Sequence, residues 1–393
     1  MRKNLIAICK NKLTGIDGLL PVLMEIKALY PDIKVSVVLF DDNHYALIKK
    51  NYNMWEMIQS MDSSVYLIRN RSHFITLIKL ILFILRFLFA KNIIVKNSDT
   101  LPFHKTAMKV LKKLSKTKEI KTYLVTMPLE GARLSFIDFT IANKKKGKSD
   151  TWNIFKDHYD HFLSSIDAGL FKEILNVNSP KEKMISTGYI HKMPRWRNFI
   201  DDASKRYNAA DKGDYFLYIL TSLGRAKSVY HHPEIIEYLK DSLDILKAYN
   251  SRIKTVFRPH AITDMDKIKE VLKEFNYSNY VIDYGHPMVL ASKARFVFGN
   301  YFSHTMYDAY LLGKPVVEYS QYDRELFEEI GKSSLGGRCC DFFIWRNKEE
   351  LRKTLDLLIN GDVKMTRDQD FIKNNFQDTP KEFYEFWQKV IST

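Results

Sequence analysis

The sequence predicts an α/β fold built from two domains in tandem, each a parallel sheet covered by helices. Its 393 residues are enough for about two ordinary domains. Hydrophobic residues make up 46% and aromatic residues 13%, which excludes a disordered chain. Strand-like and helix-like segments alternate through both halves. We therefore expect two Rossmann-like domains that face each other across a cleft, with ligands bound at the carboxyl ends of the strands.

The first half contains short apolar runs that indicate strands, separated by segments that indicate helices. Strands are predicted at Asn4–Cys9, Lys34–Phe40, Val65–Arg69, Asn92–Val95, Lys121–Thr126 and Lys183–Thr187. Helices are predicted at Gly18–Tyr30, Tyr45–Met54, Phe74–Ala90 and Thr106–Ser115.

A polar stretch near the middle, Arg195–Asp214, is predicted to be an interdomain linker, and the alternation restarts after it. Strands are predicted at Tyr215–Leu220, Lys254–Arg258, Tyr280–Asp283, Phe296–Gly299 and Pro315–Tyr319. Helices are predicted at Pro233–Tyr249, Met265–Phe275, Met288–Ala294 and Ser303–Leu312. The predicted domains are 1–205 and 212–371.

The chain is strongly basic, with 61 Lys and Arg against 46 Asp and Glu, a net charge of +15. This excess favours an anionic partner such as nucleic acid, anionic lipid or a phosphate-bearing small molecule. No zinc finger, RNP-type strand or basic zipper is present, so we expect no nucleic-acid partner. Three cysteines form neither a disulfide framework nor zinc spacing, and the apolar run Leu5–Cys9 is too short for a signal peptide. We expect a cytoplasmic protein.

The most apolar stretch is Phe74–Ala90, which reads FITLIKLILFILRFLFA. Lys79 and Arg86 interrupt it, and its length is at the lower limit for a bilayer span. Two interpretations stay open: a helix partly buried in the domain core, or a helix that dips into a membrane interface.

Two loops of the first half could carry chemistry, because function in such sheets sits just after strands. The segment with Gly15, Asp17 and Gly18 follows the first strand and opens a helix, where Asp17 is either a helix cap or a catalytic carboxylate. Glu130 and Gly131 follow the strand at Lys121–Thr126, where Glu130 is either a solvated loop residue or a general base.

The second half places phosphate-binding residue types after four successive strands. Hydroxyls, basic side chains and a helix start can grip a phosphate group, and a glycine turn can contact a base through its backbone. The candidate residues are Thr221, Ser222, Arg225, Arg258, His260, Gly285, Ser303, His304 and Thr305. Neither GxGxxG nor GxxxxGK[ST] occurs, which disfavours a dinucleotide-binding protein or a P-loop NTPase.

These motifs resemble the donor domain of GT-B glycosyltransferases, most closely the bacterial surface-polysaccharide branch. That branch includes capsule, O-antigen, Kdo and sialic acid transferases and the related CDP-glycerol glycerophosphotransferases. Its basic–Pro–His–Pro motif is similar to Arg258-Pro259-His260, although Ala261 replaces the second proline. Its serine pair heading a helix is similar to Ser303-His304-Thr305, and that helix leads into Gly-Lys-Pro-Val at Gly313–Val316.

The resemblance implies a division of labour between the two domains. Domain 212–371 would bind a nucleotide-sugar, preferably a CMP-sugar, and His260 with Ser303 and Thr305 would hold its phosphate. Domain 1–205 would bind the acceptor near Gly15, Gly18 and Gly131, and a terminal helix at 372–393 would cross back onto it. Catalysis would fall to Glu130, Asp17 and His260, with no metal and no cofactor.

The leading hypothesis is a glycosyltransferase that builds a cell-surface polysaccharide or lipooligosaccharide. It would act at the cytoplasmic membrane face as a peripheral protein, on a glycan or a lipid-linked glycan. Two alternatives stay open: polyol-phosphate transfer from a CDP-alcohol, and a non-enzymatic basic protein that binds lipid or nucleic acid.

Overall fold

The computed structural model describes residues 3–9, 13–39, 42–68, 73–97, 110–115, 117–145, 159–166, 169, 184–207, 214–220, 235–261, 263–320, 322, 324–361 and 363–392. The chain forms two compact units. The first unit comprises Met1–Thr126, Thr151–Phe199 and Phe376–Thr393, and the second comprises Met127–Asp150 and Ile200–Asn375. The predicted boundaries differ from this division chiefly at 127–150, which groups with the second unit.

The first unit is built on a seven-stranded parallel sheet with the order β3-β2-β1-β4-β5-β6-β7. Its strands are β1 (Lys3–Ile8), β2 (Lys34–Leu39), β3 (Ser64–Leu67), β4 (Lys91–Asn97), β5 (Thr117–Tyr123), β6 (His161–Ser164) and β7 (Met184–Ser186). Its helices include α1 (Leu13–Leu29), α2 (Asp42–Lys50), α3 (Tyr52–Ser60) and α4 (His73–Phe87).

The second unit is built on a six-stranded parallel sheet with the order β10-β9-β8-β11-β12-β13. Its strands are β8 (Tyr215–Ile219), β9 (Lys254–Arg258), β10 (Tyr280–Ile282), β11 (Val297–Gly299), β12 (Val316–Ser320) and β13 (Phe342–Trp345). The helices from here to the last described residues are α5 (Leu129–Lys145), α6 (Pro194–Arg206), α7 (Ile235–Leu246), α8 (Met265–Glu274), α9 (Pro287–Lys293), α10 (His304–Leu311), α11 (Arg324–Glu329), α12 (Lys348–Asn360), α13 (Gln369–Asn375) and α14 (Lys381–Ser392).

The central strands of the second unit, β8 and β11, are apolar and buried along their whole length, as is typical of a parallel sheet covered on both faces. Every residue of β8, which reads YFLYI, is buried. In the core of the second unit, the Phe216 and Phe296 rings stack with their centroids 4.8 Å apart. The predicted fold class, two α/β domains with parallel sheets, is confirmed.

The predicted linker at 195–214 contains the division between the two units, after Phe199, but most of its described length is the helix α6 (Pro194–Arg206) rather than an irregular linker. Trp196, Ile200 and Ala203 recur at helical spacing and are all buried, while most of the polar residues between them face solvent. Pro194 supplies the first helical position, where its missing N–H costs nothing. A narrow apolar stripe in a polar segment was the signal of this helix.

The long apolar helix lies at His73–Phe87, close to the predicted 74–90. Among the described residues, none of the helices combines the length and the apolar character needed to cross a bilayer.

Candidate functional site

The sheet of the second unit has a topological switch point between β8 and β11, because the chain leaves β8 in one direction and later returns to its other side. In open α/β sheets, ligands bind outside the carboxyl ends of the strands at this point. The register places Ile219 of β8 between Arg258 of β9 and Gly299 of β11. Since neighbouring strands lie about 4.8 Å apart, the predicted loops after β9 and β11 start within about 10 Å of each other.

Arg258 is the last residue of β9, and His260 lies in the loop after it. The His260 N–H donates to the Leu220 carbonyl at 3.1 Å, which ties this loop to the end of β8. Arg258 is half-buried, and its Nη1 donates to the Pro259 carbonyl at 2.7 Å. His260 is exposed. Two basic side chains therefore stand beside the switch point, one held against the backbone and the other facing solvent.

The loop after β11 leads into α10. Asn300 is buried and fixes this loop, because its Nδ2 donates to Ser242 Oγ at 2.9 Å and its Oδ1 accepts from the Tyr218 hydroxyl. Ser303 is the N-cap residue of α10, and its hydroxyl lies 3.1 Å from that of Thr305. The start of a helix carries partial positive charge and unpaired N–H groups, which suit an anion.

The turn after β10 differs from the prediction in one respect. The Gly285 N–H, a predicted base contact, donates to Asp283 Oδ1 at 2.9 Å. Asp283 in turn accepts from the Tyr207 hydroxyl at 3.0 Å, and His286 Nδ1 accepts from the Met288 N–H at the start of α9. This turn is thus internally bonded, and of the Gly285 backbone only the carbonyl stays a candidate for ligand contact.

Three of the predicted donor residues, Thr221, Ser222 and Arg225, lie outside the described residues.

Glu318 is a buried carboxylate near the end of β12 that sequence reasoning did not select as a site residue. It accepts hydrogen bonds from Ser320 Oγ and Ser334 Oγ, both at 2.5 Å, and from the Tyr322 hydroxyl. Burial raises the pKa of this carboxyl. An acidic residue in the otherwise apolar strand VVEY was the signal that could have singled it out, and its hydroxyl cage stabilises the charged form.

Glu130 and Gly131 lie in the first turn of α5 rather than in a loop. Glu130 Oε1 accepts the backbone N–H of Arg338 at 2.8 Å, and Oε2 pairs with Arg338 Nε at 3.3 Å. Gly131 lies against Tyr307, so that an added Cβ would stand 2.1 Å from its hydroxyl oxygen. Both residues belong to the second unit, whereas the prediction placed them in the acceptor domain.

Asp17 also lies inside a helix, because α1 begins at Leu13 and includes Gly15 and Gly18. It is therefore not the helix cap that the sequence allowed. Its Oδ1 lies 3.7 Å from Nε2 of His191, a fully buried histidine that stacks on the Trp196 ring at 4.8 Å. The structure brings this histidine to Asp17 from a segment far along the chain, and no sequence motif announced it.

Gly18 allows α1 to pack closely in the first unit. An added Cβ at this position would lie 3.1 Å from the Leu124 carbonyl oxygen, near the end of β5. The glycine is thus explained by packing, and its predicted contact with an acceptor stays a prediction.

Comparison with solved structures shows the fold. UDP-N-acetylglucosamine 2-epimerase from Rickettsia bellii has a TM-score of 0.56 at 14% identity, covering 100% of this chain and 96% of that chain. TcCGT1 in complex with UDP has a TM-score of 0.55 at 9% identity, covering 100% of both chains. HepE of Anabaena in complex with UDP and glucose has a TM-score of 0.50 at 12% identity, again covering 100% of both.

No protein-family model matches the sequence, and no curated protein matches it either. The structural neighbours comprise GT-B glycosyltransferases and UDP-N-acetylglucosamine 2-epimerases. The chain therefore has the GT-B fold.

Proposed function

We propose that this chain is a glycosyltransferase whose second unit binds the nucleotide of a nucleotide-sugar. The proposal rests on the arrangement at the switch point. Arg258 and His260 lie at the end of β9, on one side of β8, and α10 begins after β11, on its other side. A diphosphate or phosphodiester matches such a set of basic side chains and helix N–H groups. The neighbours that contain UDP support this assignment.

In the proposed reaction, an acceptor hydroxyl attacks the anomeric carbon of the donor and the nucleotide departs with the bonding electrons. Arg258, His260 and the N-terminus of α10 stabilise the negative charge that develops on the leaving phosphate. We propose that these groups take the part a metal ion plays elsewhere, so that neither metal nor cofactor is required.

The base that removes the acceptor proton is proposed to be Asp17 rather than Glu130. Asp17 lies on α1, the helix that follows β1 along the chain, beside the His191 imidazole. Glu130 already accepts two hydrogen bonds from Arg338. A structural role for Glu130, in which it ties α5 to Arg338, is therefore better supported than its expected role as the general base.

The finer substrate assignment follows from the family resemblance. We propose a CMP-sugar donor and a glycan or lipid-linked glycan acceptor belonging to a cell-surface polysaccharide, with the protein peripheral at the inner membrane face. The neighbours with UDP make a UDP-sugar the first competitor to test.

A second candidate is epimerisation of a nucleotide-sugar. It is favoured by the Rickettsia bellii epimerase, whose TM-score of 0.56 is as high as those of the transferase-type neighbours. The two reactions differ in their products, because transfer releases the nucleotide whereas epimerisation changes the sugar and leaves it attached.

A product assay tests the proposal. The full chain is incubated with CMP- and UDP-sugars, with and without glycan acceptors, and products are followed by NMR. We expect acceptor-dependent release of nucleotide, with Arg258→Ala and His260→Ala each lowering kcat/KM by about 10²-fold. Lys269→Ala, which removes an exposed charge from α8, is the matched control and keeps wild-type activity. Undiminished turnover in both site variants would refute the site, and an epimerised donor would favour the second candidate.

A further inference from the structure

Helix α4 and the turn after it carry the largest group of exposed apolar side chains among the described residues. Of the twelve large hydrophobic residues that are exposed, eight lie here, with exposed fractions from 40% at Ile78 to 86% at Phe89. We call these eight the docking face: Phe74, Ile75, Leu77, Ile78, Ile81, Leu82, Leu85 and Phe89.

The side of α4 opposite the docking face packs against the first unit. Leu80, Phe83 and Phe87 are buried in a cluster with residues of β1 and β4, and the Phe83 and Phe87 rings lie 4.8 Å apart. This side of α4 therefore packs on the core of the first unit. None of the eight docking-face residues belongs to this cluster, and an exposed apolar patch of this size marks an interaction surface.

The docking face is wide and has a basic border. At about 100° per residue, its side chains cover about 160° of the helix circumference. Lys79 and Arg86 come next on one edge of this arc, and the Arg86 guanidinium lies over the Tyr66 ring at 5.3 Å from its centroid. Long basic side chains beside an apolar arc place their methylene groups in the apolar layer and their charges at its surface.

The surrounding sequence has one sign of charge. Between Asp62 and Asp99 it contains no acidic residue, whereas Arg69, Arg71, Lys79, Arg86 and Lys91 all fall in this interval. An apolar arc bordered by basic groups and free of carboxylates is complementary to a layer of hydrocarbon beneath anionic headgroups.

We propose that the docking face inserts into the interface of an anionic phospholipid bilayer, with α4 parallel to the membrane plane and Lys79 and Arg86 at the level of the phosphates. A second copy of the chain fits this surface less well. A symmetric contact between two docking faces would bring Lys79 and Arg86 of one copy near those of the other, and the sequence between Asp62 and Asp99 offers no acid to pair them. This inference rests on α4 and does not depend on the donor site.

Vesicle co-sedimentation tests the proposal. The full chain is mixed with vesicles of phosphatidylcholine alone or of phosphatidylcholine with phosphatidylglycerol. We expect binding to the mixed vesicles only, and a loss of about tenfold or more in apparent affinity for the double variant Leu82→Gln/Phe89→Gln, which removes exposed apolar area without adding charge. Leu357→Gln is the matched control, since Leu357 is 50% exposed on α12 and lies outside the docking face. Circular dichroism verifies that each variant is folded.

A charge variant separates the electrostatic contribution to vesicle binding from the apolar contribution. Lys79→Gln/Arg86→Gln is expected to weaken binding to the mixed vesicles and to reduce its salt dependence. The proposal is overturned if wild-type protein does not sediment with mixed vesicles, or if Leu357→Gln weakens binding as much as the double variant does. It is also overturned if ultracentrifugation shows a dimer that Leu82→Gln/Phe89→Gln dissociates while vesicle binding is unaffected.

Discussion

At the scale of single residues, Gly131 shows how a pattern that looks functional can have a packing origin. Glycine beside a carboxylate after a strand indicates a catalytic loop, yet here it lies in a helix whose surface meets Tyr307. The Tyr307 hydroxyl donates to the Leu335 carbonyl at 3.2 Å, so the ring cannot swing away without losing that bond. Glycine is the residue that lets α5 and α10 approach.

Replacing Gly131 by alanine is therefore expected to destabilise the protein by about 1–3 kcal/mol, because the new methyl group would overlap the Tyr307 ring. Urea unfolding followed by fluorescence measures this loss. The double variant Gly131→Ala/Tyr307→Phe is expected to lose less than the sum of its single changes, since removing the hydroxyl relieves part of the overlap. Strict additivity of the two substitutions would contradict the packing explanation.

Site residues were only partly predictable, because a local sequence pattern does not show which distant residues the fold brings into contact. Arg258, His260 and Ser303 could be found because they lie at or shortly after strand ends, and strand ends are visible in the hydrophobic pattern. The partnership of Glu130 with Arg338 joins residues 208 positions apart, and that of Asp17 with His191 joins α1 to a much later segment. Local patterns contain no information on such partners, and only the fold supplies it.

At the scale of elements, α14 shows how one helix is held by both packing and electrostatics. Its residues Phe383 and Trp387 are fully buried in the first unit. At its carboxyl end, Lys3 Nζ donates to the Ile391 carbonyl at 2.5 Å and Lys118 Nζ to the Val390 carbonyl at 3.5 Å. Cations at a helix C-terminus satisfy unpaired carbonyls and oppose the negative end of the dipole.

Trp387→Ala is expected to lower the free energy of unfolding by about 3–5 kcal/mol, because it leaves a large cavity beneath α14. The neighbouring change Gln388→Ala affects an exposed side chain and should stay within about 0.5 kcal/mol of wild type. Chemical denaturation of the full chain compares the two. Equal stability of both variants would show that α14 does not contribute to the core of the first unit.

Most helices and strands could be predicted because apolar periodicity marks them. The exceptions have physical causes. Helix α6 has a narrow apolar stripe in a strongly polar segment, and β6 (HFLS) is only four residues long. Strand β13 (FFIW), with α11 and α12, lies between Tyr319 and the expected terminal helix at 372–393, a stretch in which no element was assigned from the sequence. Short strands carry too few residues for a periodic signal.

At the scale of the whole molecule, both units share the sheet order in which the chain starts centrally, builds outward to one edge and then returns to build the other side. The alternation of segments predicts parallel sheets of this Rossmann-like kind, but it does not predict the number of strands in each sheet. The net charge of +15 is a property of the whole chain and is compatible with every anionic partner. Charge alone therefore does not separate an enzyme from a nucleic-acid-binding protein.

Thermal unfolding with a panel of nucleotides distinguishes a nucleotide-sugar enzyme from a nucleic-acid-binding protein. We expect one of CMP, CDP, UDP and GDP to raise the thermal midpoint, corresponding to about 2.7 kcal/mol at a concentration of 100 Kd, because only a ligand of the native state stabilises it by mass action. Arg258→Ala should abolish this shift, whereas Lys269→Ala should preserve it. DNA binding that falls steeply with salt, together with no response to any nucleotide, would instead support the non-enzymatic alternative.

The first unit combines segments that are far apart along the chain, and this has a consequence for its synthesis in the cell. Lys3 of β1 is synthesised 388 residues before Ile391, whose carbonyl it contacts. At about 5–20 residues per second, translation would need about 20 to 80 seconds to supply that partner. The unit that is begun first is thus completed last, and until then the apolar surface reserved for Phe383 and Trp387 is open to chaperones.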